Sequence, residues 1–236
     1  MTHADRPTPR LAPTRYRRRR RARRAPALVL VALLAVAAVG VAVGLTARLT
    51  AAGAGVAGSS SGAAERSTPR SEWRRGAVPK LYQTDPEWAD DEYAGATIRE
   101  SGCGPTCLAM AYVALTGRTD RGPAEMAAFS EREGHVSDGM TAWTLMTDGA
   151  AELGLTSEEL PADAGRVRAA LAAGQVVICS MRPGDFTTTG HFIVLAGVTD
   201  DGGVIVRDPN SAERTARAWD LGDVLGQCAN LWALSA

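Results

Sequence analysis

The chain has 236 residues, 45% of them hydrophobic, and a formal net charge of +0 at pH 7. That neutrality is a sum of unequal parts, because residues 1–24 hold ten arginines and one aspartate, about +9, and the remainder therefore carries about −9. Arg17 to Arg21, Arg23 and Arg24 stop directly against an apolar run, a pattern that orients a membrane segment rather than one that grips nucleic acid, and no nucleic-acid partner is expected.

In chain order, the basic tail at 1–24 is followed by a segment at 25–47 whose first 21 residues, Ala25 to Leu45, carry no charge. As a helix such a run is roughly 32 Å long against a hydrocarbon core of about 30 Å, so it can span a bilayer. The reading is a single-pass anchor with the C-terminal body outside the cell membrane. The alternative is a signal segment cleaved at a small-residue site such as Ala52-Gly53-Ala54, which leaves the body secreted. Residues 48–72, rich in Ala, Gly and Ser, read as a flexible linker, and 73–236 as one folded domain.

The domain opens with an extended segment over 78–83 that enters an Asp85-Pro86 turn. Ser101-Gly102-Cys103-Gly104-Pro105-Thr106 then leads into the apolar run from Cys107 to Leu115, closed by Thr116-Gly117. Two glycines permit a tight turn and Pro105 suits a first helical turn, so the pattern predicts a helix that begins at Cys103. A cysteine there meets unpaired N–H groups and the positive end of the helix dipole, both of which favour the nucleophilic thiolate. Cys107 falls on the inner face one turn later.

A helix is expected over 121–132 with Met126, Ala127 and Phe129 toward the core, then a polar loop over 134–139 in which His135 is solvated. A further helix is expected over 141–153, with Trp143 and Met146 packed inward. Another over 162–173 ends at Gly174, and 175–181 is a nearly continuous apolar strand. Strands over 190–197 and 204–210, joined by Asp200-Asp201-Gly202-Gly203, form a hairpin. A short capped helix over 220–225 and a strand over 229–234 complete the chain. Helices first and antiparallel strands later predict an α+β fold.

A cysteine nucleophile needs a base, and the base needs an orienting group. Of the three histidines, His3 belongs to the tail and His135 to the loop, whereas His191 opens an apolar strand and Asp208 closes the strand expected beside it. A carboxylate in that place fixes the tautomer of the ring and stabilises its charged form. Asn210 is the substitute orienter should Asp208 face away. Gln83, twenty residues before Cys103, offers a side-chain amide of the kind that serves an oxyanion hole. Cys103 and Cys107 lack the further close Cys/His pair that a zinc site needs, and no metal or other cofactor is expected. Cys179 and Cys228 lie in or beside strands, and an outward-facing domain permits a disulfide between them.

Leu81-Tyr82-Gln83-Thr84-Asp85-Pro86-Glu87-Trp88, the Cys103 hexapeptide, Gly190-His191-Phe192-Ile193-Val194 and Asp208-Pro209-Asn210 together resemble the C39-like cysteine peptidases, papain-like enzymes related to the bacteriocin-processing peptidases. The resemblance covers the chain from about Leu81 onward. It implies a papain-like fold with a helical part followed by an antiparallel sheet. It also implies Cys103 as nucleophile, His191 as general base and acid, Asp208 as orienter, and Gln83 with the Cys103 backbone N–H as oxyanion hole. The substrate class it implies is a peptide or protein. The best-known members process leader peptides at a double glycine and are joined to a transporter. These residues contain no ATP-binding motif, so that substrate does not carry over. Acyl or peptidyl transfer through the same thioester, and peptide binding without cleavage, are the competing readings.

Overall fold

The structure, a computed structural model, describes residues 66–236. The expected tail at 1–24 and anchor or signal at 25–47 lie outside the described residues, as does most of the linker at 48–72. Among the described residues no helix is long and apolar enough to cross a membrane. The linker stops short of residue 72. Ser67 N donates to Asp85 Oδ2 at 2.6 Å, Thr68 N to Lys80 O at 2.7 Å and Lys80 N to Thr68 Oγ1 at 3.0 Å. Residues 67–72 are thus a strap bonded to the body.

After a 3-10 turn at Arg70–Glu72 come a two-strand ribbon, β1 (Glu92–Tyr93) and β2 (Ala96–Thr97), and a single helical turn, α1 (Ile98–Ser101). Helix α2 (Cys103–Thr116) follows at once and ends where Gly117 turns left-handed at φ 74°. Its residues from Gly104 to Leu115 are all buried, which fits a sequence apolar on every side. Helix α3 (Pro123–Arg132) starts on its proline, packs against α2, and buries Met126, Ala127 and Phe129.

The region after α3 departs from expectation twice. The polar loop is a short hairpin, β3 (Val136–Ser137) with β4 (Met140–Thr141), and the helix expected over 141–153 begins later, as a π-helix at Leu145–Gly149 that continues into α4 (Ala150–Glu152). The apolar spacing does mark a helix, but Thr141 belongs to β4 and the first turns are widened to π geometry. Met146 is buried as expected, but Trp143 stands on the surface.

The remainder is β5 (Thr156–Glu159), α5 (Ala164–Ala172), β6 (Val176–Met181), β7 (His191–Val198), β8 (Val204–Arg207), α6 (Ala212–Thr215), β9 (Ala218–Trp219), α7 (Leu221–Gly226) and β10 (Cys228–Ser235). Asp163 caps α5 through Arg166 N and Asp220 caps α7 through Asp223 N. The six strands β5-β10-β6-β7-β8-β9 form one antiparallel sheet, so the fold is α+β. Successive strand residues face opposite sides, and both sides are covered. Ile178, Phe192, Val194 and Trp232 join the core under α2, while Cys179, Ile193, Leu195 and Leu231 join the core with α5 and α7. Burial on both faces is why β6 reads as a nearly continuous apolar run, broken only by Ser180.

Candidate active site

The Gly102-Cys103-Gly104 turn is fixed by crowding. A Cβ on Gly102 would lie 2.6 Å from the Ile98 carbonyl oxygen, and one on Gly104 would lie 2.5 Å from Thr141 Cγ2. Neither position admits a larger residue without displacing backbone or the hairpin. The result presents Cys103, half-buried, on the first turn of α2, where no side chain caps the helix. It opens onto a cavity of about 530 Å3 whose lining includes Glu100, Met140, Trp143, Ser180, His191 and Phe192.

His191 is the first residue of β7, and Asp208 directly follows β8, which pairs with β7. The register brings them together: Nε2 of His191 lies 2.7 Å from Asp208 Oδ1, with His191 7% exposed and Asp208 1% exposed. Cys103 lines the same cavity as the ring. Burial alone lowers the imidazole pKa, but hydrogen bonds to Asp208 and to Cys103, with the charges of both, overcome it and raise the value to about 9. The Asp208 carboxyl is held below its ordinary range, because burial is outweighed by His191, Arg214 and the Asn210 N–H. Asn210 takes no orienting role on the ring; its backbone N donates to Asp208 Oδ1 at 2.8 Å.

Two features here have no counterpart in the sequence reading. Arg214, on α6, places Nε 2.5 Å from the other carboxylate oxygen of Asp208. Ser211 caps α6 by accepting from Arg214 N at 3.1 Å, which fixes the turn that carries Arg214. The second is Thr141, whose Oγ1 meets the Tyr93 hydroxyl at 2.8 Å while its methyl packs on Gly104.

Gln83 lies behind the Cys103 turn, buried, with its backbone N donating to Pro209 O at 2.7 Å. Its Nε2 donates to Arg99 O at 2.6 Å and reaches Ile98 O only at 3.4 Å, and its Oε1 has no partner. One amide proton is therefore firmly engaged and the other weakly.

The remaining titratable expectations change. His135 is buried rather than solvated: the hairpin closes over it, Nδ1 lies 3.0 Å from Thr144 Oγ1, and the ring sits beside Phe129. Trp143, expected inside, is 48% exposed at the cavity, edge-on to Trp232. All four cysteines are free thiols, so Cys179 and Cys228 form no disulfide; the neighbouring Cys228 thiol, together with burial, holds the Cys179 thiol well above its ordinary range. Among the described residues no cluster of three His, Cys, Asp or Glu side chains suits a metal ion.

A family model described as the Peptidase_C39 like family matches residues 77–234. Among solved structures, the peptidase domain of Streptococcus ComA, a bi-functional ABC transporter involved in a quorum-sensing pathway, is similar with 17% identity and a TM-score of 0.42 over 57% of this chain and 90% of that chain. No curated protein matches the sequence.

Proposed function

The chain belongs to the Peptidase_C39 like family, and on that premise we propose that its folded body is a cysteine peptidase in which Cys103 is the nucleophile, His191 the acid and base, and Asp208 the orienter. What carries this reading is the meeting of three side chains, with His191 Nε2 on Asp208 at 2.7 Å and His191 and Cys103 lining one cavity.

With Nε2 committed to Asp208, Nδ1 is the nitrogen left for sulfur and substrate. With the ring protonated below about pH 9, the thiol proton already rests on Nδ1, and the thiolate attacks the carbonyl carbon of a peptide bond, placing negative charge on its oxygen. The Cys103 backbone N–H is a donor for that oxygen; Gln83 Nε2, held on the carbonyls of Arg99 and Ile98 and outside the cavity lining, joins it only by leaving Ile98 O. As the tetrahedral centre collapses, the C–N bond breaks, the Nδ1 proton goes to the departing amine, and a thioester remains on Cys103. His191 then takes a proton from water, whose oxygen attacks the thioester; the C–S bond breaks, the acid product leaves and the thiol is restored. Met140 and Trp143, 64% and 48% exposed beside Cys103, offer an apolar wall to a substrate side chain. The uncharged run 25–45 behind the arginine block supports a tethered, outward-facing domain.

The test is the full-length protein, wild type beside Cys103→Ala, incubated with a mixed peptide library and read by mass spectrometry. New termini are expected with wild type alone. Equal cleavage by Cys103→Ala rejects the nucleophile, and none by either rejects the peptidase.

A further inference from the structure

Asp208 is held from more sides than a single histidine requires. Oδ1 accepts from His191 Nε2 at 2.7 Å and from Asn210 N at 2.8 Å, while Oδ2 accepts from Arg214 Nε at 2.5 Å. The backbone is pinned as well, since Asp208 N donates to Thr215 Oγ1 at 2.9 Å. Arg214 is fixed in its turn: its N is capped by Ser211, and its carbonyl accepts from Trp219 Nε1 at 3.0 Å. Eight residues of loop and helix thus close into a ring around one carboxylate.

We propose that Arg214 is a positioning residue of this site, which aims Oδ1 of Asp208 at the ring and restrains how strongly that carboxylate favours the charged imidazole. The geometry stands by itself; the catalytic consequence rests on the peptidase reading. An arginine on Oδ2 leaves the carboxylate one orientation toward the ring, because both oxygens are engaged. Its positive charge also lies one carboxylate away from the imidazolium and opposes it. At that separation, with an effective dielectric of about 20, the opposition is worth about one pH unit in the ionisation of the ring. The other ionisable groups facing the pair are Cys103 on α2, which lines the same cavity as the ring, Cys107 one turn further along α2, buried and within electrostatic reach of Asp208, and Glu100, which also lines that cavity.

The experiment needs no substrate. Cys103 is the half-buried thiol while Cys107, Cys179 and Cys228 are buried, so the rate of alkylation by iodoacetamide, located by mass spectrometry, reports the Cys103–His191 pair as a function of pH. Arg214→Gln is expected to move the alkaline inflection that depends on His191 upward by about one pH unit, and Arg214→Lys to restore it to within about a third of a unit. An inflection unmoved or lowered in Arg214→Gln, with wild type still dependent on His191, overturns the role of Arg214 and leaves the peptidase reading intact. A wild-type profile like that of a free thiol and indifferent to His191→Ala overturns both. If neither Arg214→Gln nor Arg214→Met folds, Arg214 is a folding residue and the proposal fails.

Discussion

The cleft joins a wall carried by the sheet to a wall carried by the β3–β4 hairpin, and the two are made of different interactions. On the sheet side, His191, Asp208 and Arg214 are linked by charge-assisted hydrogen bonds of 2.7 and 2.5 Å around a carboxylate with no exposed side-chain surface. On the hairpin side, neutral hydroxyls of Tyr93, Ser130 and Thr141 hold a strand pair that leaves Met140 and Trp143 bare. Charged bonds out of water fix atoms to within a narrow geometry, which proton transfer demands. Apolar surface in water has no such geometry and gains most from a partner that covers it. On the proposed peptidase function, the difference would give the chemistry to the sheet and the substrate grip to the hairpin.

The sharpest break falls on the sheet wall. His191→Ala is expected to lower kcat/KM at least about 1,000-fold, since it removes both the base for the thiol and the acid for the leaving amine. The wild-type pH profile gives the same assignment a sign. The ring is protonated below about 9 and loses its proton above, so kcat/KM should fall as pH rises through about 9. Activity still climbing at pH 10 would mean that no imidazolium takes part.

The hairpin wall should answer differently. Trp143→Ala removes an exposed indole that leans on Trp232 without supporting the triad, so KM for peptides with a large apolar residue near the cleaved bond should rise about tenfold. Its kcat should stay within about threefold, the mark of lost uniform binding. A fall in kcat with KM unchanged would move Trp143 into the chemistry and erase the distinction between the walls.

What was legible in the sequence follows the same division. Helix α2 with its Gly117 stop, the β7–β8 pairing and the approach of His191 to Asp208 all come from local signals: glycine and proline at a turn, continuous apolar runs, and a hairpin turn between them. The hairpin wall was hidden because its strands are two residues each, too short for a period, and its anchors are distant in sequence. Tyr93 reaches Thr141 and Ser130 across 48 and 37 residues. That closure also buries His135, whose glycine-bounded surroundings read as solvent. The exposed Trp143 shows the converse, an aromatic left outside where spacing alone argued for the core. Arg214 was missed because an arginine in a polar turn is ordinarily a surface charge; only the fold reveals the carboxylate it faces.

The mildest change probes the hairpin from behind. Tyr93 is fully buried, and its hydroxyl bonds Ser130 Oγ at 3.0 Å and Thr141 Oγ1 at 2.8 Å. Burial, opposed by those two bonds, lifts its phenol above the ordinary range, so at neutral pH it is an uncharged link. Tyr93→Phe keeps the ring packing and deletes the link. Ser130 retains the His135 carbonyl at 3.3 Å, but Thr141 Oγ1 loses the hydroxyl that held it. The expected cost is about 1–2 kcal/mol of stability, or roughly 3–6 °C in Tm. Because Thr141 packs on Gly104, the loosened hairpin should also raise KM about two- to threefold, with kcat and the alkaline limb near pH 9 unchanged. Thermal melting beside a steady-state profile measures both. Should the limb shift while Tm holds, the hydroxyl chain reaches the Cys103–His191 pair, and the two walls act as one.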